Sequence, residues 1–280
     1  YALGIMHDGT PDPIFAVGNG SPLVLGIGDD AHYLPSDVPA LLPYTRNIVY
    51  LEEGHLAILR RYEIELKALD SMGYRPIDGR VVSVDCTPAM AEKQGYDHFM
   101  LKEIYEQPQG VLNTLREWID DTDRLIEELG IAARVKDLRR LHIAACGTSY
   151  HAGLVGRYLI EKFVRIPVAV DIASEFRYMS PVLPKGTAFI TITQSGETAD
   201  TLAAQREAKQ QGAATFTVCN VVGSTSAREA DSVLYTRAGP EIGVASTKAF
   251  TAQLAALSLL GIALGEKKGK LSEIEISTLK

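Results

Sequence analysis

The chain has 280 residues, of which 46% are hydrophobic and 22% charged, with a formal charge of -7. This composition describes a folded globular protein of about two domains and excludes a disordered or fibrous one. The acidic balance, with the basic pairs Arg60-Arg61, Arg139-Arg140 and Lys267-Lys268 far apart, argues against a nucleic-acid partner, whose phosphates need clustered cations.

The first stretch, to about residue 82, reads as short strands. Apolar runs at 3–6, 14–17, 23–26 and 48–51 and the alternating run 62–66 are separated by turn signals such as Gly18-Asn19-Gly20 and Gly28-Asp29-Asp30. Such close spacing predicts an antiparallel, meander-like sheet. A helix is expected from Ser36-Asp37, with Ser36 as its cap. From 83 to 104 the pattern loosens around Asp85-Cys86-Thr87-Pro88 and Gly95-Tyr96-Asp97-His98. That stretch reads as a linker giving way to helices over 100–106, 109–119 and 122–129, the last closed by Gly130.

After Arg140 the rhythm becomes strand, loop, helix. Strands are expected at 141–145, 168–172, 188–192, 215–219 and 232–235, and helices at 150–163, 197–211 and 248–264. Apolar strands with helices between them predict an α/β fold with a parallel sheet covered on both faces, a flavodoxin-like three-layer sandwich. The longest apolar run, 254–264, is broken by Ser258 and Gly261. It is shorter than the roughly 20 residues of a bilayer span and reads as a core helix. No membrane is expected. Three widely spaced cysteines, Cys86, Cys146 and Cys219, form neither a disulfide framework nor a zinc site and suit a reducing, cytoplasmic setting.

In such a sheet ligands bind beyond the carboxyl ends of the strands. Three turns there combine glycine with hydroxyls where a helix begins: Cys146-Gly147-Thr148-Ser149-Tyr150, Thr193-Gln194-Ser195-Gly196-Glu197-Thr198 and Gly243-Val244-Ala245-Ser246-Thr247-Lys248. Unpaired N–H groups and the positive end of the helix dipole suit an anion, and hydroxyls add neutral donors. Ser195 and Thr198 also fit plain helix capping. Neither G-x-G-x-x-G nor G-x-x-x-x-G-K-[ST] follows a predicted strand, so the pattern indicates a small phosphorylated ligand rather than a nucleotide. Cys146 reads as a small buried residue, and His151 and His98 as idle. Glu175 and Arg177 read either as cleft residues or as an ion pair on its rim. Lys248 stands at an unfavourable helix end for a cation. No metal-ligand spacing, paired carboxylates or cofactor motif is present.

Four strings carry a resemblance: Lys102-Glu103-Ile104-Tyr105-Glu106-Gln107-Pro108, the turn at 146–150, Gln194-Ser195-Gly196-Glu197-Thr198-Ala199-Asp200-Thr201-Leu202, and Glu241-Ile242-Gly243-Val244-Ala245-Ser246-Thr247-Lys248-Ala249-Phe250-Thr251. In this order they resemble the isomerising glutamine–fructose-6-phosphate aminotransferases, the glucosamine-6-phosphate synthases. Gly20-Ser21-Pro22-Leu23-Val24 and Leu51-Glu52-Glu53-Gly54 are similar to the end of that family's Ntn-type glutaminase domain. The resemblance implies three regions: the end of a glutaminase domain at 1–82, a linker and leading helices at 83–124, and a first sugar-isomerase (SIS) domain at 125–280.

It further implies that Thr148, Ser149, Thr193, Gln194, Ser195 and Thr198 bind fructose 6-phosphate or glucosamine 6-phosphate, with Val244 and Ser246 near the sugar. Thr193 stands where a serine is common, which keeps the hydroxyl. The family's nucleophilic cysteine opens the mature chain, whereas this sequence opens with Tyr1. The residues that open the sugar ring belong to a second SIS domain. The expectation is therefore an internal piece with no catalytic residue of its own, inactive alone, from a homodimeric enzyme that also takes glutamine. Two other readings share these turns: a non-enzymatic sugar-phosphate-binding regulatory module and a fructosyl-amine deglycase.

Overall fold

Two patterns of side-chain alternation produce two units, Tyr1–Gln94 and Gly95–Lys280. In the computed structural model residues 1–84, 92–132 and 134–280 are described, so Cys86 and its neighbours 85–91 lie outside the described residues.

The first unit is built from nine strands among its described residues: β1 (Ala2–His7), β2 (Thr10–Gly18), β3 (Val24–Ile27), β4 (His32–Tyr33), β5 (Asn47–Tyr50), β6 (His55–Leu59), β7 (Ile64–Asp70), β8 (Gly73–Ile77) and β9 (Val82–Ser83). They do not form one meander. β2 pairs with β6, giving an antiparallel sheet of order β1-β2-β6-β7-β8, while β3 to β5 join β9 in a second sheet of order β4-β3-β5-β9. The physical reason lies in β3 and β5, which are apolar on both faces. Leu25 and Val49 pack with Ala16, Ala57, Leu59 and Leu66 of the first sheet. Val24 and Ile48 point the other way, onto Val38, Leu41 and Leu42.

The helix expected at Ser36 is absent. Only a 3-10 turn, Pro39–Leu41, forms, with the Ala40 N–H donating to Asp37 Oδ1 at 3.4 Å. Pro35, Pro39 and Pro43 punctuate the segment, and a proline brings no N–H to an i→i−4 ladder.

The second unit opens with α1 (Phe99–Tyr105), α2 (Gln107–Leu115) and α3 (Thr122–Glu128). α2 stops four residues short of the expected 119. Asp121 then caps α3, its Oδ1 accepting from Arg124 N at 2.9 Å. There follow β10 (Arg140–Ala145), α4 (Gly147–Val164), β11 (Val168–Ile172), α5 (Ala173–Phe176), β12 (Thr187–Thr193), α6 (Ala199–Gln210), β13 (Ala214–Cys219), α7 (Thr225–Glu229), β14 (Ser232–Tyr235), α8 (Lys248–Lys267) and α9 (Glu273–Leu279). Every strand pair is parallel and the order is β11-β10-β12-β13-β14. This is the flavodoxin-like order 2-1-3-4-5, whose switch point lies between the first and third strands, here β10 and β12.

The two faces of this sheet differ. Leu141, Ile143, Ala188, Ile190, Ile192 and Val218 meet residues of α3, α4 and α8 in the main core. Each fully buried leucine or isoleucine there is worth about 1.5–3 kcal/mol. The opposite face carries Ala144, Phe176, Phe189, Ala204 and Ala208, and beside them a buried polar network. Gln205 Oε1 accepts from Thr191 Oγ1 at 2.9 Å, Thr217 Oγ1 at 3.1 Å and Ser226 Oγ at 2.7 Å. Its Nε2 donates to the Ser226 carbonyl at 3.0 Å. That network accounts for Thr217 in β13, while Thr215 of the same strand donates through its N–H and hydroxyl to Asp231 Oδ2 at 2.9 and 3.2 Å.

α8 is apolar and long enough to cross a membrane by composition, yet its apolar residues are spent on this core. It packs alongside α4. A Cβ on Gly156 would lie 2.8 Å from Leu257 Cδ1, and one on Gly265 would lie 2.6 Å from the Phe163 carbonyl. Pairing of 156 with 257 and of 163 with 265 means the two helices run the same way, so their N-termini share one end of the unit.

Candidate phosphate-binding site

The turns at 146–149 and 194–198 follow β10 and β12, neighbouring strands in register through Ala145 and Ile192. They therefore stand side by side at the switch point. A contact joins the first turn to the start of α6, the Thr201 hydroxyl donating to Cys146 Sγ at 4.0 Å. Gly147 has φ +57°, a conformation only glycine adopts without strain, and this lets α4 begin directly after the strand.

Within the second turn the hydroxyls pair with the turn's own backbone. Thr193 Oγ1 accepts from Gly196 N at 3.0 Å, and Ser195 Oγ accepts from Glu197 N at 3.1 Å. Gly196 is required twice: its φ is +72°, and a Cβ there would fall 2.0 Å from Ser224 Oγ. Both helices that begin here lack a side-chain cap, α4 after Cys146 and α6 after Thr198. Thr198 thus holds the N-cap position of α6 but its side chain makes no capping bond there, and Ser195 bonds within the turn instead, although their sequence pattern fits capping.

The third turn behaves differently. Glu241 Oε1 accepts from Thr247 N at 2.8 Å and Ala249 N at 3.1 Å, so a carboxylate already occupies the N-terminus of α8. Glu103 of α1, only 2% exposed, accepts from Ile242 N at 2.6 Å and from Gly243 N at 3.1 Å. The expectation of three equivalent anion-binding turns therefore narrows to two. A negative side chain satisfies at α8 the dipole that stays uncapped at α4 and α6.

The individual residues fall as follows. Thr148 is exposed, Gln194, Ser195 and Thr198 are half-buried, and Thr193 is buried with its hydroxyl turned inward. Ser149 is buried and accepts from Gln253 Nε2 at 3.0 Å. Val244 is fully exposed and Ser246 half-buried. Arg177 pairs with Asp200 of α6 at 2.8 Å rather than with Glu175. This partly exposed pair is worth under about 1 kcal/mol. Lys248 does not face a ligand; it is buried against Glu106 at 2.6 Å, and Lys102 meets the same carboxylate at 3.4 Å. His151 is exposed, its ring edge-on to Tyr150.

Burial pushes the Cys219 thiol up to about 11, which leaves it a poor nucleophile. Burial also raises Glu197 above the usual carboxylate range, opposed by the Thr225 N–H that its Oε1 receives at 2.8 Å. Glu103 and Glu241 stand inside the strings that carry the resemblance but take no role from it, and Gln253 lies outside them. Gln253 leaves a signal of its own, a long polar side chain within the apolar stretch of α8.

A cavity of about 460 Å³ opens elsewhere, at the amino ends of the strands, lined by Leu138, Leu141, Thr187, Ala214, Phe216 and Leu264 among others. It lacks the hydroxyl-bearing turns, and ligands of parallel sheets gather at the opposite edge.

Residues 135–263, from before β10 to the last third of α8, match the SIS domain family. Over its full length the chain is 51% identical to the isomerising glutamine–fructose-6-phosphate aminotransferase of Symbiobacterium thermophilum, covering 46% of that relative. A Thermus thermophilus relative of the same name is 46% identical, again over the full chain and across 45% of its own length. The chain thus carries a SIS domain and is similar over its full length to isomerising glutamine–fructose-6-phosphate aminotransferases. It spans about half the length of the curated relatives it matches.

Among solved structures, the C-terminal domain of the Francisella tularensis glucosamine-fructose-6-phosphate aminotransferase is 43% identical, with a TM-score of 0.64 over 67% of this chain and 53% of that one. Thermotoga maritima glucosamine-6-phosphate deaminase, 21% identical at a TM-score of 0.52 over 65% and 52% of the two chains, shares the fold alone. The parallel sheet, its order and the antiparallel sheets before it are thus those of the expected fold class.

Proposed function

We propose that this chain is the phosphosugar-anchoring part of a glucosamine-6-phosphate synthase, the enzyme that makes glucosamine 6-phosphate and glutamate from fructose 6-phosphate and glutamine. One observation carries the reading: α4 and α6 begin side by side, uncapped, at the switch point of a SIS sheet. Their first-turn amides and the hydroxyls of Thr148, Ser149, Ser195 and Thr198 form a cradle for a phosphate dianion, with Gln194 beside it. Thr193 acts from beneath, holding Gly196 in place. Val244 and Ser246 lie on the third turn, toward the sugar. The chain divides into glutaminase-like residues 1–82, leading segments 83–124 and SIS residues 125–280.

This chain's residues bind and orient the sugar phosphate and supply no acid, base or nucleophile, so the isolated chain makes no glucosamine 6-phosphate. The whole protein acts in the cytoplasm as a homodimer. Nothing observed favours a stand-alone sugar-phosphate sensor or a deglycase. Calorimetric titration with fructose 6-phosphate tests the reading. Replacing Ser195 and Thr198 together by alanine should weaken binding by about 1–3 kcal/mol, the range for hydrogen bonds to a charged group. Unchanged affinity removes both residues from the site.

A further inference from the structure

Gln253 is 1% exposed, and it makes an uneven set of bonds. Its Nε2 donates to Ser149 Oγ at 3.0 Å, while its buried Oε1 has no partner. Leaving a buried acceptor unpaired costs about 1–3 kcal/mol. A leucine or methionine would fill the same space in α8 without that cost, so packing alone does not account for an amide here.

What the amide does to Ser149 does account for it. A hydroxyl has one proton and two lone pairs. With a lone pair already receiving the Gln253 N–H, the Ser149 proton is left to be donated elsewhere. Ser149 stands in the first turn of α4, whose N-terminal amides no side chain caps. The arrangement extends a row of N–H donors by one O–H donor. An accepting side chain at 253 would do the reverse: it would take the serine proton and turn oxygen lone pairs toward the anion. Close packing of α4 on α8, set by Gly156 against Leu257, brings the two residues within reach although 104 positions separate them.

We propose that Gln253 is a positioning residue of the phosphosugar site, fixing the polarity of the Ser149 hydroxyl so that it donates to the ligand phosphate. The inference rests on the phosphosugar reading above. It is tested by a double-mutant cycle on the whole chain, with fructose 6-phosphate titrated into the wild type, Gln253→Ala, Ser149→Ala and the double variant, and melting followed alongside.

Gln253→Ala should raise Kd about tenfold, one hydrogen bond's worth, and should change it less than about twofold once Ser149 is already alanine. The volume-conserving Gln253→Met, which cannot donate, should reproduce the tenfold loss and serves if the alanine variant melts. Equal losses in both backgrounds, or wild-type affinity in Gln253→Met, overturn the positioning role while leaving the site reading intact. A wild-type chain that does not bind fructose 6-phosphate overturns the site reading and this inference with it.

Discussion

The second and third turns of the SIS domain look alike as strings of glycine and hydroxyls, yet they are held in opposite ways. At Thr193–Thr198 the turn pairs its own N–H groups with its own neutral hydroxyls, Thr193 to Gly196 and Ser195 to Glu197. At 241–249 the N–H groups go to carboxylates, Glu103 from a distant helix and Glu241 from the loop itself. Neutral acceptors leave the positive end of the adjacent helix available to a ligand, whereas carboxylates cancel it. On the proposed function, the phosphate would sit at the first two turns and the third would face the sugar side of the cleft.

The largest expected effect comes from loosening the scaffold behind the third turn. Glu106→Ala strands Lys248, which is 3% exposed. It should cost about 3 kcal/mol in urea unfolding, the low end for breaking a buried pair because Glu106 itself reaches solvent. A cost below about 1 kcal/mol would mean that this cluster does not hold α8.

A smaller effect distinguishes the second turn by pH. The raised Glu197 carboxyl stabilises the fold fully below the ordinary glutamate value of about 4.3, and that contribution is lost as pH rises through the folded-state value. Glu197→Gln keeps an acceptor for Thr225 N but does not titrate. Wild-type stability relative to this variant should therefore fall as pH rises from about 4.3, and a constant difference across pH contradicts the assignment. The smallest effect is expected at fully exposed Val244, where Val244→Ala should alter stability by no more than about 0.5 kcal/mol. A larger loss of stability would show that the tip of the third turn is packed.

Much of this was legible in the chain itself. The five parallel strands and the turns after β10 and β12 follow from apolar runs closed by glycine and hydroxyls. The helices are displaced by only a few residues, since α6 starts at Ala199 rather than Glu197. The first unit was less legible because β3 and β5 are apolar on both faces, which hides the split into two sheets behind a simple strand count. The support of the third turn could not be read either. Glu103 lies 139 residues from Ile242, and nothing local in α1 announces where a buried carboxylate will find its amides. The charge balance at α8 is hidden differently: Glu241 sits six residues before the N–H it caps, outside any capping pattern.

Backbone amide chemical shifts recorded during a fructose 6-phosphate titration test the central claim most directly. The account predicts that the amides of Thr148, Ser149 and 194–200 shift together along one saturation curve while those of Thr187 and Ala214, at the amino-end cavity, stay fixed. Shifts confined to that cavity, or separate curves for the two turns, would contradict a shared phosphate site.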